Sequence, residues 1–536
     1  MGGGEFYNGA EVKLSPFGKG LILVLLAILL VGGVVFTHQV LLGDTFNKEE
    51  AQHALYAFWL TRDLQALDWG AFFYDTQRQM VWPFLHSWVL TLFFLVFGVS
   101  YFSARLLSFV LFLSLLFFIY FFSTKVCAKE GPKIGVFSVL LALTSPLMLR
   151  FAAQNTLEGI SALLFLAAAY VYILCEERKI MLEYVFLAVL IGLSIYTNYL
   201  YAYLMLPAFL VVTLSKLGPL SVDALRLYRR GEKAALHFIW WAYKKLIVAL
   251  VLLLLALVWF SFSFSRKIQL MLTAIFRYSQ GVQVDGIWQN LIYYPRAIVS
   301  SLSFSPWFGI LMFVCLFLPF IAARYRGVNR LFVYAWTVLL LLLLTIPTKE
   351  PRLIFIIAPF IFIIFAAAAV YFLDILKAQQ KLLGALFLLF LFLPAVPSLP
   401  RAQTLFFPFR PAQNMVQVLD FFHAGVPKDK GVAVSLNLQH LNPEVVRFHF
   451  RDWQAPVLAE PGPDEAALLG EAEYFFTIGL SEGSYYAKEV LDDSLFRWDA
   501  WLRDNERRGE LRRYSSKRFE SIGLTAWIYQ KPSFGR

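Results

Sequence analysis

Glu49, Glu50 and His53 fall within about one and a half turns of a helix, in the run Asn47-Lys-Glu-Glu-Ala-Gln-His-Ala-Leu-Tyr56 just beyond the first long apolar segment. Glu49, Gln52, His53 and Tyr56 share one helical face by their i, i+3, i+4 and i+7 spacing. A carboxylate there could take a proton from an acceptor hydroxyl. His53 could tune that carboxylate or join it in holding a divalent metal ion. Glu50 also has a structural reading. Asn47-x-x-Glu50 is a capping arrangement, and acids are favoured in the first turn of any helix.

The elements that carry these residues belong to a membrane protein. The 536 residues are 59% hydrophobic and 15% charged, with a mean hydropathy of +0.64. Soluble domains carry about a quarter charged residues. The net charge of +11 does not point to nucleic acid, because residues 401–536 hold 17 Lys/Arg against 18 Asp/Glu. The excess lies between apolar runs, where the positive-inside rule accounts for it. Cys127, Cys175 and Cys315 lie in or beside apolar runs and imply no disulfide framework. The first run follows Lys13 and Lys19 without a small-x-small cleavage site, so it reads as a retained anchor.

Eleven spans are expected, near 20–42, 102–126, 133–150, 157–175, 181–198, 199–216, 246–264, 306–323, 330–346, 352–373 and 381–398. With a cytoplasmic N-terminus, the inner loops carry Lys125/Lys129/Lys133, Arg178/Lys179, a basic cluster over 216–245, Arg324/Arg326/Arg330 and Lys377/Lys381. The outer segments carry fewer bases, as an inner (cytoplasmic) membrane orientation requires. The apolar stretch from Pro83 is short for a span. The first outer loop, 43–101, is therefore expected to hold two juxtamembrane helices, 48–67 and 84–97. After Pro394, Pro397 and Pro400 the composition becomes mixed. Apolar runs at 431–436 and 474–479, with helical patterns at 412–424 and 489–505, predict a small extracytoplasmic α/β domain over 401–536, following a membrane domain over 1–400.

The acidic pair is followed by Arg62-Asp63-Leu64, Asp68-Trp69, Tyr74-Asp75-Thr76, Trp82-Pro83-Phe84-Leu85-His86-Ser87-Trp88, Phe97-Gly98 and Ser103-Ala104-Arg105-Leu106. This run resembles the first-loop signature of the GT-C superfamily, and more closely that of bacterial relatives of protein O-mannosyltransferases and of the lipid A aminoarabinose transferase. Similarity continues at Arg150…Glu158, at Tyr196-Thr197-Asn198-Tyr199 and at Lys349-Glu350-Pro351-Arg352. The resemblance implies an α-helical polytopic GT-C fold and an inverting glycosyltransferase. Its donor would be a polyprenyl-phosphate-linked sugar. Its acceptor would be a hydroxyl of a protein, lipid or glycan at the outer face. The family's catalytic Asp corresponds to Glu49. Trp82 stands where a basic residue often precedes the Pro pair, Phe84 replaces the second Pro, and Gln52 replaces an Arg. Two expected phosphate contacts are thus missing, and Arg78, Lys349 or Arg352 would have to supply them.

Several further residues could act. Arg352 can grip a phosphate bidentately and Lys349 offers a point charge, although both could simply snorkel at the interface. Arg105 could hold a carboxylate of the first loop, and Arg150 could pair with Glu158. His86 could complete an N/O metal site with Glu49 and His53. Asp75 reads as a sugar contact or a turn residue. The expected site is then Glu49 and Glu50 for catalysis, with His53, Asp75, Arg78, His86, Arg105, Lys349 and Arg352 for substrate. Two other classes compete. A flippase of lipid-linked glycan would need charges inside the spans, whereas most lie at span ends. A polymerase or ligase using prenyl-diphosphate glycans is kept open by Arg266, Lys267, Arg277 and Arg296.

Overall fold

The structure is a computed structural model. It describes residues 15–79, 82–127, 130–178, 180–229, 286–318, 328–346, 348–376, 414–434, 438–453, 457–459, 472–481 and 494–532, with isolated positions between them. Four described helices are individually long and apolar enough to cross a membrane: α1 (Pro16–Leu41), α5 (Tyr101–Val126), α8 (Glu158–Arg178) and α14 (Ala358–Ile375). Leu23, Leu26, Leu29 and Leu30 of α1 point outward, as a lipid-facing stripe must. Shorter apolar helices pack between these: α6 (Gly131–Leu143), α9 (Met181–Ile195), α12 (Pro306–Cys315) and α13 (Val328–Leu344). The helix that follows α9, α10 (Tyr199–Arg229), packs on α13, while α14 lies against α6, α12 and α13.

Proline shapes the departures from the expected spans. The span expected at 133–150 is two helices, because α6 ends at Leu143 and Pro146 starts α7 (Pro146–Phe151). Pro lacks an N–H and disfavours helix in the preceding residue. Similarly, 352–373 divides into a 3-10 turn (Pro351–Ile356) and α14, with Pro359 in the first turn of α14. The spans expected at 246–264 and 381–398, and the domain boundary at 400, fall largely outside the described residues.

The loop between α1 and α5 forms α2 (Lys48–Gln65), α3 (Trp69–Gln77) and α4 (Leu85–Phe97). Of these, α2 and α4 match the expected juxtamembrane helices, and α3 is an addition. The side chain of Asp68 accepts from Ala71 N–H and caps α3. Against α4 packs α2, and the N–H of Leu85 donates to the Tyr196 carbonyl at the end of α9. A two-residue antiparallel ladder, β1 (Val282–Gln283) with β2 (Thr348–Lys349), joins the segments before α11 (Ile287–Ser301) and before the 3-10 turn.

Among the described residues, the C-terminal part is a five-stranded mixed sheet with helices on it. Its strands are β3 (Val432–Val434), β4 (Val457–Ala459), β5 (Tyr474–Leu480), β6 (Arg512–Phe519) and β7 (Leu524–Gln530), in the order β4-β3-β5-β7-β6. The β3 strand runs parallel to β4 and β5, whereas β7 is antiparallel to β5 and β6. One sheet face packs on α15 (Met415–Ala424) and α16 (Pro443–His449), and α17 (Ser494–Arg507) covers the other. The first loop anchors this domain. Phe46 packs on Phe448 and Tyr101, Thr45 donates to the His440 carbonyl, and Asp44 accepts from Tyr486 and from Met415 N–H.

Candidate active site

The capping box at Asn47 sets the direction of the acidic pair. Asn47 Oδ1 accepts from Glu50 N–H, and Glu50 Oε2 accepts from Asn47 N–H, each at 3.0 Å. The other Glu50 oxygen accepts from Asn155 N–H at 3.0 Å and lies 3.8 Å from Arg105 Nε. Glu50 is 2% exposed. Both its oxygens are occupied, and Glu50 is not in the lining of the cavity described next: it knits the start of α2 to α5 and to the segment before α8. Arg105 holds a first-loop carboxylate as expected, and also donates to the Thr45 carbonyl. It reaches them across Gly43, where a Cβ would stand 1.7 Å from its guanidinium. Arg105 is thus a structural cation away from the cavity described next.

Glu49 faces the other way. It lines a cavity of about 30 Å³ with His53, Trp82, Glu158, Asn198, Tyr201, Glu350 and Arg352. That is room for little more than a water molecule or two. Arg352 Nη1 donates to both Glu49 oxygens, at 2.6 and 2.9 Å. Its Nε pairs with Glu350, and Glu158 lies 3.8 Å away. Tyr201 donates its hydroxyl to Glu158 at 3.3 Å. One guanidinium is therefore held among three carboxylates from α2, the start of α8 and the residue before the 3-10 turn. One oxygen each of Glu158 and Glu350 has no hydrogen-bond partner among the described residues. Buried carboxylate oxygens left this way favour a donor-bearing or cationic guest.

His53 also lines the cavity, beside Trp82. Burial, and secondarily the nearby Arg352 charge, push its imidazole down to about pKa 4. It is neutral near pH 7. His86 stacks edge-on to His53, with ring centroids 5.2 Å apart. Neither His86 nitrogen has a hydrogen-bond partner among the described residues, and burial, then His53, hold its pKa well below the usual value. The expected metal set of Glu49, His53 and His86 is not assembled. Glu49 is turned onto Arg352, and no group of three or more His, Cys, Asp or Glu side chains suited to a metal occurs among the described residues.

The remaining expected residues lie off the cavity. Asp75 pairs with Arg78 at 3.2 Å, and Arg78 covers the Trp59 ring at 3.8 Å. Lys349 donates its ammonium to the carbonyls of Leu342, Leu343 and Ile346, closing the C-terminal end of α13. It is fully buried, which lowers its pKa to about 8. Of the three cations offered for phosphate, only Arg352 reaches the cavity. Arg150 does not meet Glu158; its guanidinium lies over Phe151, and Glu158 turns to Arg352 and Tyr201. Glu158, Glu350 and Tyr201 are site residues that single-helix spacing could not reveal. For Glu158 and Glu350 the one signal was the similarity at Arg150…Glu158 and Lys349-Glu350-Pro351-Arg352, and Tyr201 had none.

Comparison with known proteins bears on the fold. Residues 82–225 match the family model described as dolichyl-phosphate-mannose-protein mannosyltransferase. No curated protein matches the chain. ArnT from Cupriavidus metallidurans in the apo state aligns over 95% of this chain and 98% of its own, at 14% identity and a TM-score of 0.59. The same protein bound to undecaprenyl phosphate aligns at 15% identity and 0.57, over 94% and 97%. The archaeal oligosaccharyltransferase AglB from Archaeoglobus fulgidus, in complex with an inhibitory peptide and a dolichol-phosphate, covers 85% of this chain and 69% of its own, at 11% identity and 0.53. These likenesses give the chain the GT-C membrane fold that its first-loop residues resemble.

Proposed function

We propose that this protein is an inverting membrane glycosyltransferase that moves a sugar from a polyprenyl-phosphate donor to an acceptor hydroxyl of a protein, lipid or glycan. The observation that carries this reading is the Glu49–Arg352 pair at a cavity between the first outer loop and the mouths of the spans. ArnT and AglB bind undecaprenyl phosphate and dolichol-phosphate in solved structures of the same fold, which supports a lipid-linked donor here. The site would face the outer side of an inner membrane, with the N-terminus cytoplasmic and the C-terminal domain outside.

In this reading the donor phosphate competes with Glu49 for Arg352. A guanidinium suits a phosphate as well as a carboxylate. Drawing Arg352 away opens the small cavity and frees Glu49. The acceptor oxygen attacks the anomeric carbon as Glu49 takes the hydroxyl proton. The bond from the anomeric carbon to the phosphate oxygen breaks, and prenyl phosphate leaves with that electron pair. Neutral His53 can hold a hydroxyl without adding charge. General-base help contributes about 10²–10⁴-fold, and positioning supplies much of the rest. The test is transfer of labelled sugar from synthetic polyprenyl phosphate by the protein in nanodiscs. Formation of labelled product that requires Glu49 and Arg352 supports the proposal. Movement of intact lipid-linked sugar across vesicles without a covalent product would replace it with a flippase.

A further inference from the structure

A second cavity lies in the C-terminal domain, far from the transfer chemistry. It measures about 440 Å³ and is lined by Arg503, Glu506 and Arg507 of α17, Arg513 of β6, and Trp527 and Tyr529 of β7. Along β7 the side chains alternate. Leu524, Ala526 and Ile528 enter the core shared with the first-loop helices, whereas Tyr529 and Trp527 join Trp498, Leu502 and Leu511 under α17. The cavity therefore opens on the sheet face opposite the one that meets α15, α16 and the first-loop helices.

Its construction is specific. Trp527 pairs with Thr477 on β5 and Ser516 on β6. Its ring lies over Gly479, where a Cβ would come within 2.4 Å of it. Only a residue without a side chain lets the indole settle there. Arg503 approaches the Trp527 ring and pairs with Asp499. Arg513 lies near the Tyr529 ring and pairs with Glu506 at 3.1 Å. The Arg507 side chain is 81% exposed, and Asp504 is 3.9 Å from it. Three guanidiniums thus meet one carboxylate in the lining. The surrounding segment 503–518 holds seven Lys/Arg and three Asp/Glu, in a domain that is otherwise slightly acidic.

An aromatic face beside guanidiniums selects a ligand with two properties. The negative face of an indole takes the C–H face of a ring. A guanidinium takes a carboxylate in bidentate fashion. The volume falls in the range of small-ligand sites, about 300–1,000 Å³. We propose that this cavity binds an acidic saccharide, its sugar ring on Trp527 and its carboxylate between Arg507 and Arg513. The site goes beyond the transfer reaction and is read without turnover, so it stands or falls separately from the role of Glu49.

The full chain in phosphatidylcholine nanodiscs is titrated with labelled hexagalacturonate and with maltohexaose. The acidic chain should bind at least tenfold more tightly than the neutral one. Arg507→Glu, on an exposed side chain, should weaken hexagalacturonate at least tenfold, and Trp527→Leu should weaken it severalfold. Lys133→Glu, the same charge change on α6, should leave it unchanged. The proposal is overturned by equal binding of the two sugars, by no binding of hexagalacturonate at millimolar concentration, or by Arg507→Glu binding as well as wild type. Arg507-dependent capture of anionic vesicles or of an oligonucleotide in preference to hexagalacturonate would overturn it too.

Discussion

Glu49→Gln and Arg352→Gln should have opposite profiles, although each breaks the same ion pair. In Glu49→Gln, Arg352 keeps Glu350 and Glu158 as partners, and the new amide oxygen can still accept from it. Glu49 is about one-fifth exposed, so losing its charge should cost about 1 kcal/mol of stability or less. With Glu49 as the base proposed above, turnover should fall about 10²–10⁴-fold. That is about 3–5 kcal/mol of barrier at about 1.4 kcal/mol per decade. Arg352→Gln instead leaves Glu49, Glu158 and Glu350 around one small cavity without a cation. Removing one partner of a buried pair typically costs about 3–5 kcal/mol. The double substitution should recover part of that loss, since one fewer carboxylate is stranded, with a coupling of about 0.5–3 kcal/mol. Thermal unfolding in nanodiscs measures stability, and labelled-sugar transfer per folded molecule measures turnover. Wild-type turnover in Glu49→Gln would refute the base. A melting temperature for Glu49→Gln as low as that of Arg352→Gln would refute the shared-cation geometry.

Three other outcomes are expected. Glu50→Gln should cost about 3 kcal/mol of stability, because a buried acceptor of two N–H groups becomes half donor beside Arg105; transfer per folded molecule should stay within a few-fold of wild type, and a catalytic-scale loss would return Glu50 to the reacting atoms. Acid should destabilise the fold through His53: its folded pKa of about 4 lies below the unfolded value of 6.5, so the stability is complete above pH 6.5 and is lost as pH falls towards 4, by up to about 3 kcal/mol. Melting curves from pH 7.5 to 4.5 should be flatter for His53→Gln than for wild type, and equal slopes would show that His53 is solvated. Gly43→Ala should push Arg105 off Thr45 and Glu50, lowering the melting temperature by several degrees; an unchanged melting temperature would mean that Arg105 has another route.

Much of the membrane part was legible because its signals are local. The capping box at Asn47 and the short apolar run after Pro83 mark the starts of α2 and α4 within a residue or two. The aromatic run Trp69–Gln77 gives no clear apolar face, so α3 passed for loop. In the C-terminal domain, β5 and α15 follow their apolar patterns. The β6 strand was missed because it is an exposed edge carrying Arg512, Arg513, Lys517 and Arg518. An edge strand open to water on both faces shows no period-two alternation.

The site was legible only as far as one helix reaches. A helix turns about 100° per residue, so consecutive acids cannot share a site. Glu49 therefore looks into the cavity, while Glu50 looks back to Asn155 and Arg105. The i, i+4 relation puts His53 on the Glu49 face, and both line the cavity, but it could not add Glu158, Tyr201, Glu350 or Arg352, which arrive from other segments across as many as 303 positions of chain. The same reasoning separates the cations. Lys349 and Arg352 are neighbours at the mouth of one span, yet Lys349 is spent on the carbonyls that end α13. Pro351 and the 3-10 turn then carry Arg352 into the cavity. A cation at a span mouth becomes a candidate for phosphate only when no helix end already claims it, and here that condition leaves Arg352.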